Sequence, residues 1–367
     1  MNRLQRLYTE CGQSPWLDNL RRGWITGGQL AALRDRGVRG LTSNPTIFQK
    51  AIQGSADYDE QFSALTRNRV APRDAYWSLV LRDIDSALDV FAPVYESSGG
   101  EDGFVSVEVD PNLAHDSAGT SASARDLHER VGRPNVMIKI PATREGLPAI
   151  RTMIAEGRSV NVTLIFSLER YAQVLEAYVA GLEDLARSTT SDLSRVASVG
   201  SFFISRVDTE VDRRLDAIGT PDALALRGKA AVAQGQLAYR MFTEVFQGAR
   251  WQALAARGAR LQRPLWASTS TKNPAYRDTL YVEELIGPHT VNTLPDATLE
   301  AFDDHGDVAR RVDLDLDAAA HTWQAIAAAG VNHAAVAEQL EREGVSSFQK
   351  SFDELLTALT TKAAELS

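Results

Sequence analysis

"NVMIKIPATREGLPAIRTMIAEGRSVNVTLIFS", residues 135–167, decides the fold class. Val136, Met137, Ile138 and Ile140 make a short apolar run that stops at Pro141, and a second run covers 159–167. Between them GLPAIRTMIAEG has helical spacing. Each run has the length of a buried strand. Strand, helix and strand in so short a span call for two parallel strands joined by a crossover helix. Lys139 stands in the middle of the first run. A lysine among buried residues is costly unless it is paired or gives up its proton, so it needs a purpose.

The alternation continues in both directions. VRGLTSNP (38–45), FVSVEVDP (104–111), VASVGSFFISRVD (196–208), RPLWASTST (263–271) and HTVNTLPD (289–296) read as further strands, and PWLDNL (15–20) as an eighth. Helix-like stretches separate them, among them 75–97 and LERYAQVLEAYVAGLEDLARS. An open doubly wound sheet and a barrel both suit this order; eight strands in 367 residues fit the barrel. The expectation is an α/β chain, one (β/α)8 TIM barrel domain over residues 1–367, with additional helices and a helical C-terminal segment from about Leu314. No Pro/Gly/Ser-rich linker divides it, and the acidic stretch 302–317 reads as a solvated loop or helix start.

Composition narrows the classes. The chain is 44% hydrophobic and 24% charged, ordinary for a globular protein with a sizeable core. Its net charge of −9 argues against nucleic-acid or anionic-membrane partners, though a local cationic pocket could still take a phosphate. The first twenty residues lack the apolar core of a signal peptide, and no stretch approaches a membrane span. Cys11 is the only cysteine, so no internal disulfide forms. A cytoplasmic protein is expected.

Strand parity locates the polar residues. Successive strand side chains point to opposite faces. Ser106, Glu108 and Asp110 oppose Val105, Val107 and Val109; Met137 and Lys139 oppose Val136, Ile138 and Ile140. Asn161 and Thr163 oppose Val160, Val162, Leu164 and Phe166. The apolar sets should pack on outer helices and the polar sets point into the barrel. Sites in such barrels lie at the carboxyl ends of the strands.

The residues leave Lys139 two readings: a structural charge paired with Glu108 or Asp18, or a Schiff-base nucleophile, since desolvation favours a neutral amine that can add to a ketone. Such chemistry needs an acid/base group nearby. Glu108 is the candidate, because the neighbouring strand would set it beside Lys139; a plain salt bridge is the alternative. Thr42, Ser43 and Asn44 before Pro45 read by themselves as an ordinary helix cap sooner than as a substrate contact. SFFISR (201–206) ends with Arg206, and STSTKN (268–273) carries Ser270 and Lys272; both could grip a phosphate or be strand-end polarity. There is no G-x-G-x-x-G, no P-loop, no G-x-S-x-G and no metal-ligand histidine spacing.

Taken together, GLTSNPTIF, VSVEVDP, NVMIKIPAT, NVTLIFS, VGSFFISRVD and WASTSTKNPAYRDTLYVEELIG resemble the transaldolase family in its longer bacterial branch, within the class I aldolases. The likeness runs from about Trp16 to GVSSFQKSFDELL. It implies Schiff-base transfer of a dihydroxyacetone unit from sedoheptulose 7-phosphate to glyceraldehyde 3-phosphate, giving erythrose 4-phosphate and fructose 6-phosphate. The setting would be the non-oxidative pentose phosphate pathway. No cofactor or metal is implied; the partners would be sugar phosphates, in a monomer or homodimer. Lys139 matches the Schiff-base lysine, Glu108 the glutamate acting through a water, and Asp18 the aspartate that moves the hydroxyl proton. Asn44 and Asn161 match amides that hold the three-carbon unit. Ser201 matches a serine beside it, and Thr163 a hydroxyl that positions the water; Thr42 and Ser106 complete the expected substrate pocket. Arg206, Ser270 and Lys272 match the phosphate site, with one departure: shorter members read Ser-x-Arg where Lys272 stands. The alternatives are a class I aldolase that cleaves fructose 6-phosphate and releases dihydroxyacetone, and a non-catalytic sugar-phosphate-binding barrel.

Overall fold

The computed structural model describes residues 1–187 and 191–366. Eight parallel strands close into a barrel in chain order: β1 (Gln13–Leu17), β2 (Leu41–Thr42), β3 (Val105–Glu108), β4 (Val136–Pro141), β5 (Val160–Ile165), β6 (Ser198–Phe203), β7 (Gln262–Ala267) and β8 (Thr290–Leu294). β8 pairs with β1 and completes the ring. All eight expected strands form, but most are shorter than their apolar runs. Arg206, Ser270 and Lys272 therefore do not end strands. Arg206 lies in the first turn of the helix Ser205–Ile218, and the other two lie in the segment after β7.

Val105, Val107, Val136, Ile138, Ile140, Val160 and Val162 are buried, and helices pack on β3, β4 and β5. Each such side chain contributes roughly 1.5–3 kcal/mol of burial. The parity argument holds up to Val162. There the β5–β6 register shifts, and Leu164 takes a left-handed backbone (φ 59°). This extra residue bends the end of β5 at the mouth of the barrel, and the C-terminal helix (His333–Leu366) rests on it, with Gly344 against Leu164. Asp110 leaves the inward set: it lies beyond β3, pairs with Arg73 and caps the turn at Pro111.

A buried ionic cluster fills the amino-terminal end. Asp102 accepts hydrogen bonds from Ser14 (2.7 Å), Trp16 (3.1 Å), Arg39 (2.7 Å) and Arg263 (3.1 Å), joining residues of β1 and β7 to the segments that enter β2 and β3. The indole of Trp16 lies so close to Gly40 that a side chain there would have no room. The acidic stretch begins in the helix Asp296–His305 and runs through a loop to Asp315, which caps the helix Leu316–Ala328.

Candidate active site

The carboxyl ends of the strands surround a cleft of about 340 Å³. Register sets three expected residues in a row at this end of the barrel: Glu108 on β3 is the cross-strand partner of Lys139 on β4, which is the partner of Asn161 on β5. Lys139 is 4% exposed. Its Nζ lies 3.3 Å from Oε2 of Glu108 and donates to the carbonyl of Ser43 at 3.2 Å. Burial pushes the Glu108 carboxyl up, against the pull of Lys139, to about 7. Oε2 is buried without a hydrogen-bond donor in line.

Asp18 lies just past β1 and faces the same cleft. Desolvation raises its pKa; Lys139 and the hydroxyl of Thr42 oppose that rise. Thr42 Oγ1 donates to Asp18 Oδ1 at 2.9 Å and lies 2.6 Å from Thr293 Oγ1. A hydroxyl has one hydrogen, so Thr293 donates to Thr42, and the pair aims Asp18.

The expected pocket residues divide into two layers. Asp18, Thr42, Asn44, Lys139, Thr163, Ser201, Arg206, Ser270 and Lys272 line the cleft. Ser106, Glu108 and Asn161 do not. Ser201 donates to Asn161 Oδ1 (2.7 Å), and Asn161 donates to Ser106 Oγ (3.0 Å), a buried chain that fixes the cleft wall from behind. Asn44 fills both roles left open for it: it caps the helix Pro45–Gln53 by accepting from the Ile47 amide (3.0 Å), and it lines the cleft. Thr163 Oγ1 is buried without a partner among the described residues, a rare condition that suits an ordered water or a substrate hydroxyl.

Positive charge gathers at one end. The Arg206 guanidinium lies 5.2 Å from the Phe203 ring, and Lys272 donates to Ser270 at 2.6 Å. Desolvation lowers the pKa of both; Asp18 opposes the fall, and Arg206 adds to it at Lys272. Sequence reading missed other walls: Lys50, Phe203, Thr293, and Ser347 with Phe348 from the C-terminal helix. Thr293 shares a face with Val291 in an inward-or-outward pattern that could have flagged it; Lys50 and Phe348 sit on helices and carry no local signal.

The chain is similar along nearly its whole length to known proteins. The profile of the family described as Transaldolase/Fructose-6-phosphate aldolase matches residues 15–359. Transaldolase 1 of Streptomyces coelicolor is 53% identical over 361 residues, covering 97% of this chain and 94% of that protein. The transaldolase of Acidothermus cellulolyticus is 54% identical over 354 residues, covering 95% and 94%. That of Saccharopolyspora erythraea is 53% identical over 352 residues, covering 95% and 94%.

Proposed function

The chain belongs to the transaldolase/fructose-6-phosphate aldolase family and is a transaldolase; we propose that it moves a dihydroxyacetone unit between sugar phosphates through a Schiff base on Lys139. The observation that carries this reading is the buried Lys139–Glu108 pair opening into a cleft that also holds Asp18 and a cationic end. A structural ion pair would need neither the cleft nor the second carboxylate.

In its neutral form Lys139 Nζ adds to the ketone carbon of the donor. Glu108, with a carboxyl poised near 7, gives a proton to the departing hydroxyl, and water leaves as the iminium forms. Asp18 then takes the proton of the C4 hydroxyl. The C3–C4 bonding electrons move into the iminium, leaving an enamine on Lys139 and a free aldehyde. An acceptor aldehyde enters, the enamine carbon attacks its carbonyl, and Asp18 returns the proton to the new alkoxide. Water, held by Thr163 and Glu108, adds to the iminium carbon, and Lys139 leaves as the amine. Asn44 touches the three-carbon unit, while Asn161 and Ser106 hold Ser201 against it. Arg206, Ser270 and Lys272 take the phosphate, whose charge matches theirs.

This reading extends to the non-oxidative pentose phosphate pathway, with sedoheptulose 7-phosphate and glyceraldehyde 3-phosphate as one substrate pair, and to one barrel domain over residues 1–367 acting in the cytoplasm. Among the described residues no helix is long and apolar enough to cross a membrane. The deciding experiment is borohydride reduction in the presence of fructose 6-phosphate, followed by peptide mass spectrometry. A reduced three-carbon adduct on Lys139 is expected. An active, folded protein without that adduct overturns the mechanism.

A further inference from the structure

The C-terminal helix crosses the mouth of the barrel as a strap. Gln49 donates to Glu354 (2.7 Å) and the Thr46 and Ser351 hydroxyls meet at 2.8 Å, tying it to the helix after β2. Asn112 donates to Asp353 at 3.2 Å, tying it to the segment after β3. Arg170 pairs with Glu341 (3.4 Å) after β5, and Arg214 donates to Gln339 (2.9 Å) after β6. Elements that follow four different strands thus hold one helix. What the strap carries into the cleft is Phe348. Its ring is 4% exposed, and Lys139 Nζ lies 5.8 Å from the ring centroid.

Nζ itself meets the Glu108 carboxylate and the Ser43 carbonyl, and the cleft around it is lined by the polar Asp18, Thr42 and Thr163 as well as by the apolar Ile47, Phe203, Ala267 and Pro295. A large apolar side chain here contributes little to binding a sugar phosphate. It does take up volume that water would otherwise fill.

We propose that Phe348 is the water-excluding wall over Lys139 that makes this enzyme transfer its three-carbon unit instead of releasing it. This rests on the Schiff-base reading above. Both outcomes end with water adding to an iminium carbon and Lys139 leaving as the amine. They differ one step earlier. Release begins when the enamine carbon takes a proton, and the resulting iminium is hydrolysed to dihydroxyacetone. Transfer begins when the same carbon attacks an aldehyde. Once the first aldehyde product has left, the cleft stands open, and water that fills it can relay that proton. The Phe348 ring limits how much water reaches Lys139. The hydrolytic step of transfer is unaffected, because its water belongs to the polar side, at Glu108 and Thr163. Phe348 is therefore a positioning residue that sets the partition, not a proton donor.

The test measures, in the same preparations, dihydroxyacetone released from fructose 6-phosphate alone and transfer to erythrose 4-phosphate. Phe348→Ala should raise the ratio of release to transfer about tenfold. Phe348→Leu, which keeps an apolar side chain on the same helix, should fold if the alanine variant does not and should give a smaller rise in the same direction. A purely structural role would lower both rates together and leave the ratio alone. An unchanged ratio in a folded variant that still yields the Lys139 borohydride adduct overturns the role of Phe348 and spares the Schiff base. Absence of the adduct from the active unsubstituted enzyme overturns both.

Discussion

Lys139 on β4 and Glu108 on β3 are cross-strand partners whose charged atoms approach to 3.3 Å, and both side chains are almost wholly buried. Burying two charges costs about as much as their attraction returns, so stability alone is a poor reason to keep the pair. A carboxyl held near 7 beside an amine is instead suited to passing a proton at neutral pH.

Lys139→Ala is expected to abolish transfer and the borohydride adduct while leaving the circular dichroism spectrum intact. Full activity in that variant would remove the nucleophile from this position.

Glu108 gives a pH signature. Its carboxyl, raised to about 7, is protonated below that pH and ionised above it. If it donates the proton that expels water, kcat should fall as pH rises through about 7. Glu108→Gln is neutral at every pH and cannot transfer a proton, so it should slow turnover by about 10²–10⁴ and erase that limb. A limb that persists in the variant belongs to another group.

Asp18 and Thr42 separate bond cleavage from Schiff-base formation. If Asp18 is the C4 proton acceptor, Asp18→Asn should still trap a borohydride adduct, now bearing the intact donor sugar. Thr42→Val removes the hydrogen bond that opposes the rise in the Asp18 pKa. The acidic limb of the rate profile should move to higher pH, with kcat reduced about tenfold. An unmoved limb would assign it elsewhere.

At the cationic end, Arg206→Ala should raise KM for phosphorylated donors about a hundredfold, the loss of a charge-assisted contact, and change little for unphosphorylated fructose. Lys272→Arg restores the fork-shaped donor of shorter family members and should lower KM for the phosphate ester. Equal effects on phosphorylated and unphosphorylated substrates would place the phosphate elsewhere.

Far from the cleft, Asp102 tests the base of the barrel. Arg263 and Arg39 hold its carboxyl below the usual range despite complete burial. A depressed folded-state pKa contributes stability that is present above the unfolded value and lost as pH falls through the folded one. Asp102→Asn should cost about 3 kcal/mol at neutral pH by leaving two guanidinium groups unpaired, and should flatten the acid side of the denaturation curve. Chemical denaturation at pH 7 and below pH 4 measures both.

Much of this protein was legible before it folded. Alternating apolar runs and helices called for a parallel sheet, and parity sent Ser106, Glu108, Lys139 and Asn161 to one side of it. Parity failed at Leu164, whose left-handed backbone no local pattern announces. It also could not tell depth: Ser106 and Asn161 share the inward face with Lys139, yet they stand behind the wall, bonded to Ser201 and to each other. Strand ends were overestimated, so Arg206 reaches the cleft from a helix turn and Ser270 and Lys272 from the segment after β7.

The sequence by itself determined the strands and their inward polar residues, Lys139 among them, because a two-residue period and an apolar run are local properties of the chain. Tertiary structure alone decided which of those residues meet. Barrel closure sets Asp18, just past β1, within reach of the Lys139 field on β4. The strap from 333 to 366 returns to the barrel mouth and lays Phe348 over Lys139 across more than two hundred residues of chain. No periodicity encodes that return; it follows from the packing of the whole helix on the elements that follow four strands at once.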